Sequence, residues 1–203
     1  MLKFIKMHAL CIMAVILFTG CQSNSNTQLD VKMKSDDELR EIANTYTYED
    51  YKMVFEEVVS EANELEEDGK LNKWIIRILA KEKLTYITDL TDEQVIQLAE
   101  QAMEEDRVWK SIAKDEYEVS VTQKEVENYI KEGPDTSNLH QHQAFADAMG
   151  LSLEELNHHF DRDIYEKNVI WLKLKPKLEK KYDTTNDNEQ VEKYGEEVES
   201  QLK

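Results

Sequence analysis

Helix starts are written into this chain at intervals. Ser or Thr followed three residues later by Glu or Gln can form a capping box: the hydroxyl accepts a free amide of the first turn, and the longer side chain takes up the amide of the cap residue. Ser35/Glu38, Thr91/Gln94, Thr122/Glu125 and Ser152/Glu155 have this spacing, and Thr47/Asp50 is a shorter-armed version. Apolar stripes of helical period lie between these starts. Tyr51, Val54, Phe55, Val58, Val59, Ala62 and Leu65 form one; Leu71, Trp74, Ile75, Ile78 and Leu79 follow Gly69. Val95, Leu98, Ala99, Ala102, Met103, Trp109, Ile112 and Ala113 follow Thr91, and Val126, Tyr129 and Ile130 run to Gly133-Pro134. Phe145, Ala146 and Met149 form a short segment closed by Gly150, and Leu156, Phe160, Ile164, Trp171 and Leu174 follow Ser152. Pro176 lacks an amide and clashes with the preceding turn, so it is expected to kink or end that helix.

Five glycines and two prolines supply few turns. The one alternating stretch, Glu118-Val119-Ser120-Val121, is too short for a useful strand. The expected architecture is therefore all-α, an irregular multi-helix bundle over residues 35–182. Residues 183–203 read as an acidic C-terminal tail, either a weak helix carrying Val191, Tyr194, Val198 and Leu202 or a disordered segment.

The first residues carry a different signal. Lys3 and Lys6 precede an apolar run from Ala9 to Phe18, the n-region and h-region of a secretory signal. The run is too short to span a bilayer as a helix, which takes about 20 residues. Leu17-Phe18-Thr19-Gly20-Cys21 resembles the lipobox of bacterial lipoproteins, with Phe18 where leucine is more usual. The resemblance implies a signal peptide over residues 1–20, cleavage between Gly20 and Cys21, and a diacylglyceryl group on Cys21. Two acyl chains hold a protein stably where one does not. The expected location is the cell membrane, on its extracytoplasmic side. Cys11 would leave with the signal, so no disulfide is expected in the mature chain. Gln, Ser, Asn and Thr make up residues 22–28, and residues 21–34 read as a polar tether.

A formal charge of −18 disfavours nucleic acid and anionic headgroups as partners. His140 and His142, and His158-His159 with Asp161 and Asp163, hold metal-ligating groups, but the two pairs diverge on a helix and match no established spacing. They read as solvated polar faces, with metal capture a minor alternative. Carboxylate runs such as Glu56-Glu57, Glu66-Glu67-Asp68 and Glu104-Glu105-Asp106 lie opposite the apolar stripes and read as solvated as well. No catalytic residue, metal site or cofactor is expected, and the chain reads as a non-enzyme. Trp74, Trp109 and Trp171 fall on apolar faces, where they serve a core or a binding groove.

Two passages bring in a second resemblance. Asp115-Glu-Tyr-Glu-Val-Ser-Val-Thr122-Gln-Lys-Glu125-Val126-Glu-Asn-Tyr129-Ile130 is similar to the extended link and following helix of SurA N-terminal-like domains, which occur in periplasmic and surface chaperones and related trigger-factor modules. Ala144-Phe145-Ala146-Asp147-Ala148-Met149-Gly150-Leu151-Ser152-Leu153-Glu154-Glu155-Leu156 resembles the step into their long helix, here Leu156 to about Leu174. The family's short strand with an I-N-G turn is missing. The residues after Tyr182 are too few for the parvulin isomerase domain of the family's foldases. The resemblance implies a chaperone-like helical module that binds unfolded or extended polypeptide. Trp109, Ile112, Tyr129, Phe145, Phe160 and Trp171 are the candidate client groove. The alternative is a structural or regulatory lipoprotein that binds one folded envelope partner.

Overall fold

Each of the five capping pairs forms with both of its hydrogen bonds, Thr47/Asp50 included. The computed structural model describes residues 29–66 and 69–202, and Val31 onward forms one compact unit. The helices are α1 (Asp36–Thr45), α2 (Tyr48–Leu65), α3 (Lys70–Thr85), α4 (Asp92–Asp115), α5 (Gln123–Glu132), α6 (His140–Ala148), the single turn α7 (Leu153–Glu155), α8 (Arg162–Tyr182) and α9 (Asp187–Gln201). A 3-10 turn (Pro134–Thr136) follows α5, and a π-turn (Leu156–Phe160) joins α7 to α8. Gly150 ends the α6 segment with φ +67, a backbone region that favours glycine. There is no strand among the described residues; a single bridge pairs Met33 with Tyr86. The described residues are all-α in class, as their periodicity implied.

Two apolar cores share one long helix. α4 has 24 residues, about 36 Å of helix. Its first half packs Val95 and Ala99 against Val58 and Ala62 of α2 and Ile75, Ile76 and Leu79 of α3. Beside them Tyr51, Phe55 and Leu84 close on Ala144 of α6. The second half of α4 packs Val108, Trp109, Ile112 and Ala113 against Ile170, Leu174 and Leu178 of α8 and Tyr194 and Val198 of α9. Tyr117 and Val119 of the following link join this second core.

Four boundaries differ from the sequence reading. Residues 32–34, assigned to the tether, are fastened to the end of α3: Ile87 N donates to Lys32 O (2.7 Å), Lys34 N to Thr85 O (2.9 Å), and Lys34 Nζ to Tyr86 O (2.6 Å). The last long helix does not start at Leu156. Asp161 N bonds back to Leu156 O (2.8 Å), closing a wide π-turn, and α8 begins at Arg162. Pro176 does not end α8, which runs on to Tyr182. Pro176 lies on the exposed face of α8, and Leu172, one turn before it, is exposed as well. Finally, of the two alternatives for the C-terminal segment the helix is found, over Asp187–Gln201, and it is packed rather than a free tail. Gln190, Tyr194 and Val198 of α9 are buried, so this helix belongs to the domain.

Candidate functional site

The face formed by α4 and α8 holds a polypeptide segment, and that segment is α9. Asn186 caps it, accepting from the amides of Asn188 and Glu189. Gln190, Tyr194 and Val198, four residues apart, form a seam one residue wide. Tyr194 is the anchor: its ring stands edge-on to Trp109 at 5.2 Å, lies 5.7 Å from the Tyr117 ring, and its hydroxyl donates to Trp109 O (2.7 Å). Edge-on aromatic pairs of this kind add about 0.5–1.5 kcal/mol beyond area burial. Burial comes first in raising the Tyr194 pKa, so the hydroxyl stays a donor.

Charge holds the rest of α9. The Glu197 carboxylate accepts from Tyr117 Oη (2.7 Å), Lys181 Nζ (2.5 Å) and Tyr182 Oη (2.5 Å). Burial opposes its ionisation, but hydrogen bonds from Lys181, Tyr182 and Tyr117 outweigh it and hold its pKa below the ordinary value. Burial and then the bond to Glu197 raise the Tyr182 pKa. Lys175 pairs with Asp187 (2.6 Å), and Gln201 Nε2 donates to Glu116 Oε1 (2.5 Å). Shallow, solvent-open depressions flank the end of α8. One is lined by Lys181, Tyr182, Lys193 and Glu197, the other by Glu116, Tyr117, Lys177 and Lys180.

A second polar centre sits at the π-turn. Arg77 of α3 forms a two-pronged pair with Asp163 (Nη1–Oδ2 2.8 Å, Nη2–Oδ1 2.9 Å) and reaches Asp161 Oδ1 at 3.1 Å. Its guanidinium lies over the Trp74 ring at 4.9 Å. Lys73 also pairs with Asp163 (2.6 Å). Burial raises the Asp161 pKa, and Arg77 offsets this only in part. Asp163 is desolvated too, yet the bonds and charges of Arg77 and Lys73 bring its carboxyl well below the usual range. Asn157, fully buried, donates to Asp135 Oδ1 (2.9 Å) and accepts from Tyr165 Oη (2.8 Å). His158 lies between Asp135 (2.9 Å) and Glu127 (3.2 Å).

The reading of these groups as solvated faces is therefore corrected for His158, Asp161 and Asp163, which knit α3, α5 and the 3-10 turn to the start of α8. His140 and His159 are exposed, and burial lowers the pKa of the half-buried His142. Glu105 and Asp106 are also withdrawn from solvent, with Asp106 between Lys110 (2.8 Å) and Lys167 (3.6 Å). Among the described residues, no group of three or more His, Cys, Asp or Glu side chains is placed to hold a metal ion. No described helix is long and apolar enough to cross a membrane.

The six groove residues do not converge. Trp109 and Ile112 lie in the floor beneath α9, at 8% and 1% exposure, with Trp171 packed at its edge. Phe145 and Phe160 meet edge-on at 5.6 Å, packed against the α2–α3–α4 core. Tyr129 stands apart, 6.2 Å from Tyr165. Gly20 and Cys21 lie outside the described residues. Sequence reasoning missed Arg77, Asn157, Tyr117 and Glu197, whose partners are 8 to 86 residues away. One local signal was available: lysines crowd residues 173–181 just before acids crowd residues 187–199. No protein-family model, curated protein or solved structure matches this chain.

Proposed function

We propose that the chain is a lipid-anchored, non-catalytic module that binds polypeptide on the extracytoplasmic side of a cell membrane, handling unfolded or extended segments in a chaperone-like way. The observation that carries this reading is the α4–α8 face. It holds a helical segment through one aromatic anchor, a narrow apolar seam and lysine–carboxylate pairs. Nothing in those contacts depends on the segment being covalently attached, so another segment of like pattern can make them. The anchor at Cys21 rests on the lipobox and positions such a module at the envelope. The SurA N-terminal-like resemblance of the sequence supports clients of the unfolded class. A single folded partner is the second reading, favoured by the localised lysines of α8, which select by charge.

Two experiments test this. The mature domain is expected to slow aggregation of an unrelated unfolded protein in a dose-dependent way; no effect at several-fold excess removes the chaperone-like reading. Cys21→Ala is expected to release the protein from membranes with its helical circular dichroism unchanged. Retention on the membrane would refute the lipid anchor. Crosslinking in cells separates the two binding readings, since many unrelated products indicate clients and one dominant product a dedicated partner.

A further inference from the structure

We infer that α9 is a detachable cover, and that the α4–α8 groove beneath it takes an acidic amphipathic helix of a partner protein in its place. The inference rests on the proposed polypeptide-binding reading and gives that site its ligand class and its regulation.

The chemistry of the occupant is read from the groove. Its floor is apolar and aromatic: Trp109, Ile112, Tyr117, Leu174 and Leu178. Its rim is basic. Lys175 and Lys181 of α8 stand on the side that meets α9, in a chain whose formal charge is −18, while Lys173 is taken up by Glu125 and the carbonyl of Ser120. The segment seated there matches both features. α9 carries six carboxylates and one lysine, with Tyr194 and Val198 as its buried apolar side chains. Lys175–Asp187 and Lys181–Glu197 join rim to cover. A competing helix of the same pattern gains the same contacts.

The cover is built to leave. Its buried seam packs against α4, α8 and Tyr117 of the link after α4. Its own helix is weak, with Gly195 in the middle and crowded like charges. A helix of 15 residues is marginal in water without packing, so α9 unfolds when it undocks. The link to α8 starts at Asp183, which holds a left-handed conformation (φ 53) that a non-glycine residue adopts at a cost. Undocking relaxes it.

The test places substitutions on the cover and leaves the floor untouched. Tyr194→Ala removes the anchor and opens the groove. Gly195→Ala strengthens the helix: an added Cβ meets nothing within 4 Å, and the backbone there is not left-handed. The probe is a fluorescent peptide of residues 184–203 with the native sequence, titrated by anisotropy into the full chain. Apparent affinity scales with the open fraction, so Tyr194→Ala is expected to bind roughly tenfold or more tightly than wild type, and Gly195→Ala more weakly than wild type. Lys175→Glu with Lys181→Glu in the Tyr194→Ala background is expected to abolish binding, as is a probe in which every acid is replaced by lysine. Trp109 emission, read in a background with Trp74→Phe and Trp171→Phe, reports opening independently, shifting to the red in Tyr194→Ala. Equal binding to all three cover states, or no binding to Tyr194→Ala despite the red shift, overturns the proposal. A concentration-dependent dimer of the wild type also overturns it, because the occupant is then α9 of a second copy. Suppression of client aggregation that is the same in all variants while the peptide fails to bind leaves the chaperone-like reading standing and removes only the cover.

Discussion

Removing the Arg77 guanidinium leaves Asp161 and Asp163 withdrawn from water without their main cation. Arg77→Met is expected to lower the unfolding free energy by about 3–5 kcal/mol, the cost of breaking a buried ion pair from one side. Urea denaturation measures it, and adding Asp161→Asn should recover part of the loss. The two aspartates respond to pH with opposite sign. Asp163, whose pKa is lowered, adds stability above its ordinary value of 3.8 that is lost as pH falls. Asp161, whose pKa is raised, adds stability at low pH that is lost as pH rises through its folded value. Glu125 gives a cleaner test. Its bonds to Lys173 (2.5 Å) and then to Thr122 hold its pKa at about 2, against 4.5 ordinarily. The stability it contributes is present above pH 4.5 and lost as pH falls toward 2. The gap between wild type and Glu125→Gln in thermal melts should narrow across that window; a constant gap refutes the assignment.

At the scale of elements, the π-turn and Pro176 show a helix tolerating irregularity. The π-turn seats Leu156 and Asn157 in the interior. Pro176 sits inside α8 on its exposed face. Pro176→Ala should therefore stabilise the chain by about 2 kcal/mol: the gain in helix propensity exceeds the unfolded-state restriction that proline supplies. A fall in melting temperature would mean that the proline shapes α8 for packing. α1 offers the opposite case. It has a complete capping box but no buried residue. Native-state hydrogen exchange should find α1 opening far more readily than Ile75–Leu79 of α3 or Val95–Ala99 of α4.

For the whole molecule, charge acts in two directions at once. The net charge of −18 repels itself, so raising salt from low ionic strength is expected to raise the melting temperature. The docking of α9 on the α8 lysines is an attraction, so the same salt should reduce exchange protection in α9. A single salt series monitored by both measurements gives opposite slopes if the cover is held by charge, and parallel slopes if only its apolar seam matters. The helices themselves were legible in the sequence, because a capping box and a 3.6-residue stripe are local: Thr91/Gln94 with Val95 and Ala99 needs no distant partner. So were the apolar faces of Trp74, Trp109 and Trp171. What neighbours an apolar face was not legible. Trp109 and Ile112 read equally well as groove or core, and only the docking of α9, some 80 residues further on, decided that they are covered. His158 and Asp161 looked solvated for the same reason: pairing with Glu127, Asp135 and Arg77 depends on where other helices lie. Periodicity and caps are properties of consecutive residues, and they determined which segments coil. Burial and pairing are properties of the packed assembly, and the tertiary structure alone decided them.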